Sequence, residues 1–189
     1  LMKELIEEEF FASYGSEKLL AGNDASVLNV PADRIALSTD SFVINPIFFP
    51  GGDIGKLAVC GTLNDVATSG AIPKYISCSM IIEEGLPIED LRKVCKSIAK
   101  TAKEAGVKVV TGDTKVVEHG QADNIYINTT GVGVLDSKIC LGGQCIKEGD
   151  SIILTGSIGD HGIAIIGARN NLEFKNQVES DCAPLSNLI

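Results

Sequence analysis

Basic residues are scarce in this chain: 16 Lys and Arg stand against 25 Asp and Glu, a net charge of −9. That deficit argues against a nucleic-acid partner, whose phosphates call for clustered cations. It leaves nucleotides open, because acidic side chains hold phosphates through divalent metal ions. Also missing is any apolar run of about 18 residues, so no membrane-spanning helix is expected. Residues 1–10 carry Glu4, Glu7, Glu8 and Glu9 where a secretory leader would be basic. The six cysteines include no C-x-x-C pair. Cys140 and Cys145 share a Gly-rich loop but have no His or Cys pair downstream, so a zinc site is not expected. Cys60, Cys78 and Cys95 fall in predicted helices and strands, where a thiol acts as a small hydrophobe. The reading is of reduced thiols in a cytoplasmic protein.

What is present fits a globular protein with a real core: 44% hydrophobic and 22% charged residues. Residues 1–11 read as a short amphipathic helix stopping near Gly15. Two short apolar runs, 26–30 and 34–39, are joined by Pro31-Ala32-Asp33 as a hairpin. A hairpin sets the start of one strand beside the end of the next, so Asn23-Asp24 and Asp40-Ser41 become neighbours. Turn chemistry also favours Asn and Asp at such positions, so each acid alone has a plain structural reading. Residues 45–52 read as a loop, with Phe48 and Phe49 either at a subunit contact or packed beneath it.

Asp53 reads as the N-cap of a helix running to about Ser69, ended by Gly70. Gly61 costs that helix about 1 kcal/mol relative to Ala, which points to close packing or close ligand approach. Asn64-Asp65 sits late in it, as an exposed polar face or as a metal-binding acid with an amide beside it. A strand over 74–82 follows. Then comes a helix from Pro87 to Ala105 whose stripe is Ile88, Leu91, Val94, Cys95, Ile98, Ala99, Ala102 and Ala105, ended by Gly106. Residues 107–111 form a buried strand and 124–134 another, with Gly131 and Gly133 expected at a bulge. His119 lies in a polar turn and is given no role. A further strand is predicted at 151–155 and a helix at 163–169. The Gly-rich turn between them fits neither a P-loop nor G-x-G-x-x-G, so it makes only a weak anion site.

The chemistry gathers on Thr111-Gly112-Asp113-Thr114-Lys115, which places an acid, a hydroxyl and an ammonium just past a strand end. Ligands of open α/β sheets collect at such ends. Asp24, Asp40, Asp65 and Asp113 each end an apolar segment, and clustered carboxylates need a cation to stay ionised. Magnesium takes oxygen ligands and keeps substrate phosphates. The four acids around magnesium and a nucleoside triphosphate, with Lys115 as a positive point charge, make a coherent site.

Several stretches carry a family resemblance. Gly22-Asn23-Asp24-Ala25-Ser26, Ser38-Thr39-Asp40-Ser41-Phe42-Val43, Asn64-Asp65-Val66-Ala67 and Gly112-Asp113-Thr114-Lys115-Val116-Val117 resemble the aminoimidazole-ribonucleotide-synthetase-like (AIR-synthase-like) superfamily. Within it, Phe48-Phe49-Pro50-Gly51-Gly52-Asp53, Ile82-Glu83-Glu84-Gly85, Ile127-Asn128-Thr129-Thr130-Gly131 and Gly159-Asp160-His161-Gly162 are similar to the HypE family of hydrogenase maturation factors. The resemblance implies an α/β (α+β) fold: a mainly antiparallel sheet backed by helices. In such a fold, residues 1–147 form an AIR-synthase-like ATP-binding domain that joins a second copy in a barrel-like dimer, with the strand at 74–82 at the contact. Residues 148–189 would begin an α/β C-terminal domain.

The activity implied is ATP-dependent dehydration of a C-terminal cysteine S-carboxamide to a thiocyanate, the source of cyanide for nickel–iron hydrogenase. ATP would phosphorylate the carboxamide oxygen and so create a leaving group. The resemblance implies ATP ligands Asn23, Asp24, Asp40, Ser41, Asn64, Asp65, Gly112, Asp113 and Thr114. It implies magnesium ligands Asp24, Asp40, Asp65 and Asp113, and a catalytic Lys115 near the phosphate or the modified cysteine. Partners implied are a second copy of the chain, the carbamoyltransferase HypF and the HypC–HypD complex. The other readings are a different ATP enzyme of the superfamily, either a small-molecule kinase or a synthetase, and a scaffold whose acids only cap loops. The family's glycine-containing leader and its terminal cysteine are not in this stretch, and Cys182 does not match that cysteine. The chain is therefore expected to be part of a longer protein, without turnover by itself.

Overall fold

The computed structural model describes residues 4, 6–15, 34–136, 138–139, 141–170, 172 and 177–189. Asn23, Asp24 and the predicted first hairpin strand lie outside the described residues. Four strands form the main sheet: β1 (Arg34–Phe42), β4 (Ile72–Glu83), β5 (Lys108–Val117) and β6 (Ile125–Leu135). Their order is β1-β6-β4-β5. β1 and β4 run antiparallel to β6, and β5 runs parallel to β4. This is the mixed fold expected, a mostly antiparallel sheet backed by helices. The loop predicted at 45–52 contains a small hairpin, β2 (Phe48–Phe49) with β3 (Gly52–Asp53).

Helix α1 (Ile54–Thr68) begins where Asp53 accepts from the backbone N–H groups of Gly55 and Lys56. Those are two of the donors a helix start leaves unpaired. Helix α2 (Ile88–Glu104) buries Leu91, Val94, Cys95, Ile98, Thr101 and Ala102, close to the stripe read from the sequence; Ile88 is exposed. Gly70 and Gly106 end these helices at φ 82 and 68, a backbone that suits glycine. Both helices cover one face of the sheet. There Ile54, Leu63, Val94 and Ile98 pack on Ile76, Met80 and Ile127. The N-terminal turns (Ile6–Phe11, then Ala12–Tyr14) lie against α2, where Glu9 accepts from Arg92 at 2.8 Å.

Three expectations are corrected. The irregularity predicted on β6 lies instead on β4, where the register shifts between Pro73 and Tyr75. Gly131 and Gly133 are small because α1 presses on them: a Cβ on Gly133 would stand 2.5 Å from Val66 Cγ1. Gly61 has the same origin, since a Cβ there would meet the Phe42 ring at 2.8 Å. Residues 151–155 form no strand, and Ile152 is fully exposed (100%). Their apolar pattern suits a strand, yet no described strand lies alongside to accept the hydrogen bonds. Finally, β4 is paired along both edges, so it can meet a second copy only through its open face and not edge to edge. Helix α3 (Asp160–Asn170) is longer than predicted.

Candidate active site

Strand alternation decides which side chains can meet. On β1, Ser38 and Asp40 face the helices. Asp40 Oδ2 accepts from Thr62 Oγ1 of α1 at 3.2 Å, and Asp65 Oδ2 accepts from Ser38 Oγ at 3.2 Å. These pairs link two positions on β1 to two positions one turn apart on α1, which sets both carboxylates at the seam between β1 and α1. Thr62 and Thr129 are buried, with their hydroxyls 2.6 Å apart, and Thr129 also donates to the Ala58 carbonyl at 3.0 Å. A carboxylate only accepts, so the Thr62 proton goes to Asp40, and the single Thr129 proton is shared between the Ala58 carbonyl and Thr62 Oγ1.

The opposite face of the sheet carries the second group. Ser79 is in register with Asp113 on β5 and with Asn128 on β6, and Asn128 is in register with Ser41 on β1. These four, with Lys115, Ile81 and Tyr126, line a cavity of about 340 Å³. Asn128 Nδ2 donates to the Asp40 carbonyl at 2.9 Å and to Ser41 Oγ at 3.0 Å. Lys115 Nζ lies 3.0 Å from Asp113 Oδ1. That ammonium, with the Thr114 backbone N–H, holds the Asp113 carboxyl below the usual aspartate range. Asp113 and Lys115 are both well exposed, so the pair adds little stability.

The pentapeptide 111–115 therefore does not follow a strand end. It lies inside β5, which continues to Val117, because the chain keeps pairing with β4 as far as Glu83. Gly112 is glycine because β5 runs tight against β4 there, and a Cβ would collide with the Cys78 carbonyl. The expected convergence of Asp40, Asp65 and Asp113 is not formed within this chain. Asp40 is in register with Thr129 and faces the helices, whereas Asp113 shares the open face with Ser79. Three strand spacings, about 14 Å, also separate β1 from β5. Among the described residues, no group of three or more His, Cys, Asp or Glu could hold a metal. Asn64 faces the C-terminal segment instead. Its Nδ2 donates to the Ala183 carbonyl at 3.0 Å and its Oδ1 accepts from Leu185 N at 2.8 Å.

Residues 22–135 match the family described as AIR synthase related protein, N-terminal domain. The chain belongs to that family. Among curated relatives of this AIR-synthase-related chain, the carbamoyl dehydratase HypE of Rhizobium leguminosarum bv. viciae is 47% identical over 188 residues. That match covers 100% of this chain and 54% of the relative. A solved structure of hydrogenase maturation protein HypE in complex with ATP superposes with a TM-score of 0.96 at 46% identity, covering 99% of this chain and 56% of that one. A HypE–HypF complex matches with a TM-score of 0.81 at 52% identity, covering 97% and 59%. The chain thus spans about half the length of the curated relatives it matches.

Thr62, Ser79, Asn128 and Thr129 do not stand out as site residues in the sequence. For two of them there is a signal: Asn128-Thr129-Thr130 interrupts an otherwise apolar strand, and buried strands seldom carry three polar residues in a row without a use for them.

Proposed function

We propose that the whole protein uses ATP to dehydrate an S-carboxamide on its C-terminal cysteine to a thiocyanate, supplying cyanide for nickel–iron hydrogenase maturation. The observation that carries this reading is the likeness across 99% of the chain to HypE bound to ATP. Magnesium is usually held by one or two carboxylates plus waters and phosphate oxygens. Asp40 and Asp65, both at the seam between β1 and α1 and each steadied by one hydroxyl, fit that donor set, with Asp24 assigned to the same group. The metal, when bound, would offset charge on the transferred phosphoryl group.

Lys115 would offer its ammonium to a phosphate oxygen, and Asp113, 3.0 Å from it, aims that ammonium. Asn23, Ser41, Gly112 and Thr114 complete the nucleotide ligands in this reading. Because the sheet divides Asp113 and Lys115 from Asp40 and Asp65, the complete site calls for a second copy. The open face suits it, since Ile35 and Leu37 stand exposed on β1, Val43 just past its end, and Ile81 on β4. HypF and the HypC–HypD complex are the proposed partners, residues 148–189 the start of a second domain, and the cytoplasm the setting. No helix among the described residues is long and apolar enough to cross a membrane.

The test uses the full-length protein carrying an S-carbamoylated terminal cysteine. Mass spectrometry should find loss of one water from that cysteine only with Mg-ATP present. ATP turnover that survives removal of the terminal cysteine and phosphorylates a free small molecule would instead establish a kinase.

A further inference from the structure

Residues 178–185 form a strap across α1 and the β2–β3 hairpin. Ser180 is buried, and its backbone N–H donates to the Pro50 carbonyl at 2.8 Å. Its hydroxyl meets His161 Nδ1 at 2.9 Å and the Cys182 N–H at 3.2 Å. Gly51 lets the strap approach, since a Cβ there would stand 2.7 Å from the Ser180 backbone. Beyond Cys182, Asn64 grips the Ala183 carbonyl and the Leu185 N–H. Cys182 is therefore fixed on both sides. Cys60 lies one turn before Asn64 on α1, near enough to Cys182 that the two thiols shift each other's titration in opposite directions, Cys182 down and Cys60 up.

We propose that Cys60 and Cys182 are a dithiol site that a small-molecule disulfide closes into an intramolecular disulfide, fastening the strap to α1. Both thiols sit on backbone that is already held, Cys60 within α1 and Cys182 in the pinned strap, and closure removes one proton from each. Cys182 is the attacking thiol. The neighbouring Cys60 thiol and the Lys56 charge favour its thiolate, and it is partly exposed. Burial pushes Cys78 and Cys95 up to about 12, which leaves them inert beside it.

The exchange balances. The Cys182 thiolate attacks one sulfur of the external disulfide, forming a mixed disulfide and expelling one small thiolate. The Cys60 sulfur, giving up its proton, then attacks the Cys182 sulfur and expels the second. Two protein thiols are oxidised, one external disulfide is reduced to two thiols, and the protein's two protons end on them. The linkage would lock the strap about a turn and a half of α1 from Asp65. It stands independently of the proposed activity.

The test exposes the intact protein to oxidised glutathione, alkylates the remaining thiols and maps the peptides by mass spectrometry. The expected result is a linked peptide joining Cys60 to Cys182, loss of both from the alkylated set, and reversal by dithiothreitol. Cys60→Ala should trap Cys182 as its glutathione mixed disulfide, and Cys182→Ser should leave Cys60 unoxidised. Either of two results overturns the proposal: Cys182 resting as a mixed disulfide in the unmodified sequence with no linked peptide, or both thiols remaining open to alkylation.

Discussion

Thr62 tests whether the helix-covered acids form a site or only a packed contact. Its side chain is fully buried (0% exposed) and does two separable things. The hydroxyl donates to Asp40 and sits 2.6 Å from the Thr129 hydroxyl, while the methyl abuts Gly131. Thr62→Val keeps the volume and deletes the hydroxyl. Thr129 retains the Ala58 carbonyl at 3.0 Å, so the main loss is one hydrogen bond to a half-buried carboxylate. Such a bond is worth about 1–2 kcal/mol net, and water reaching Asp40 keeps the loss near the lower end. Thr62→Ser keeps the hydroxyl and deletes the methyl, which costs about 0.5–1.5 kcal/mol by comparison with other single-methyl deletions in cores. Urea unfolding should therefore rank the two variants as similarly destabilised, with unchanged m-values. Calorimetric titration of the full-length protein with Mg-ATP should separate them. Valine frees Asp40 to swing, weakening affinity about threefold to tenfold, since 1.4 kcal/mol is a factor of ten. Serine should bind as the unmodified protein does. Equal affinity for all three proteins, or equal losses in both variants, would refute the assignment of Asp40 to the nucleotide.

Three further outcomes follow from other parts of the molecule. Gly133→Ala would press a methyl into Val66 and Ala71, and overpacking of that kind costs about 1–3 kcal/mol, read as a lower urea midpoint. Glu83 accepts from the Gly120 and Asn124 N–H groups, which hold its carboxyl below the usual glutamate range. A depressed folded-state pKa means that this stabilisation is complete above the ordinary glutamate value, about 4.3, and fades as pH falls through the lower folded value. Thermal scans from neutral to acidic pH should show a steeper decline for the unmodified protein than for Glu83→Gln. Asp113→Asn removes the partner that holds the Lys115 ammonium and should lower Mg-ATP affinity, and an unchanged dissociation constant would remove the open-face pair from the site.

The helices were readable because their signals are local: the Asp53 cap, the α2 stripe and the terminal glycines act within a few residues of themselves. Sheet order was not readable from the residues, because nothing in 72–83 distinguishes an interior strand from an edge, and only pairing with both β5 and β6 decides it. The same limit governed the acids. Asp40 and Asp113 were each recognisable as acids in apolar surroundings, and proximity to one ligand was inferred from similar placement at segment ends. Which face an acid occupies depends on strand register, and a shift of one residue reverses it. Had β5 stopped at Val110, Thr111-Gly112-Asp113-Thr114-Lys115 would have been a loop free to fold over the strand ends. Because β5 runs on to Val117, the alternation of the strand sets Asp113 and Lys115 on the open face and leaves Asp40 behind the sheet. A site requiring all of them must be completed from outside this one sheet, and the exposed apolar side chains on its open face are where the proposed second copy would complete it.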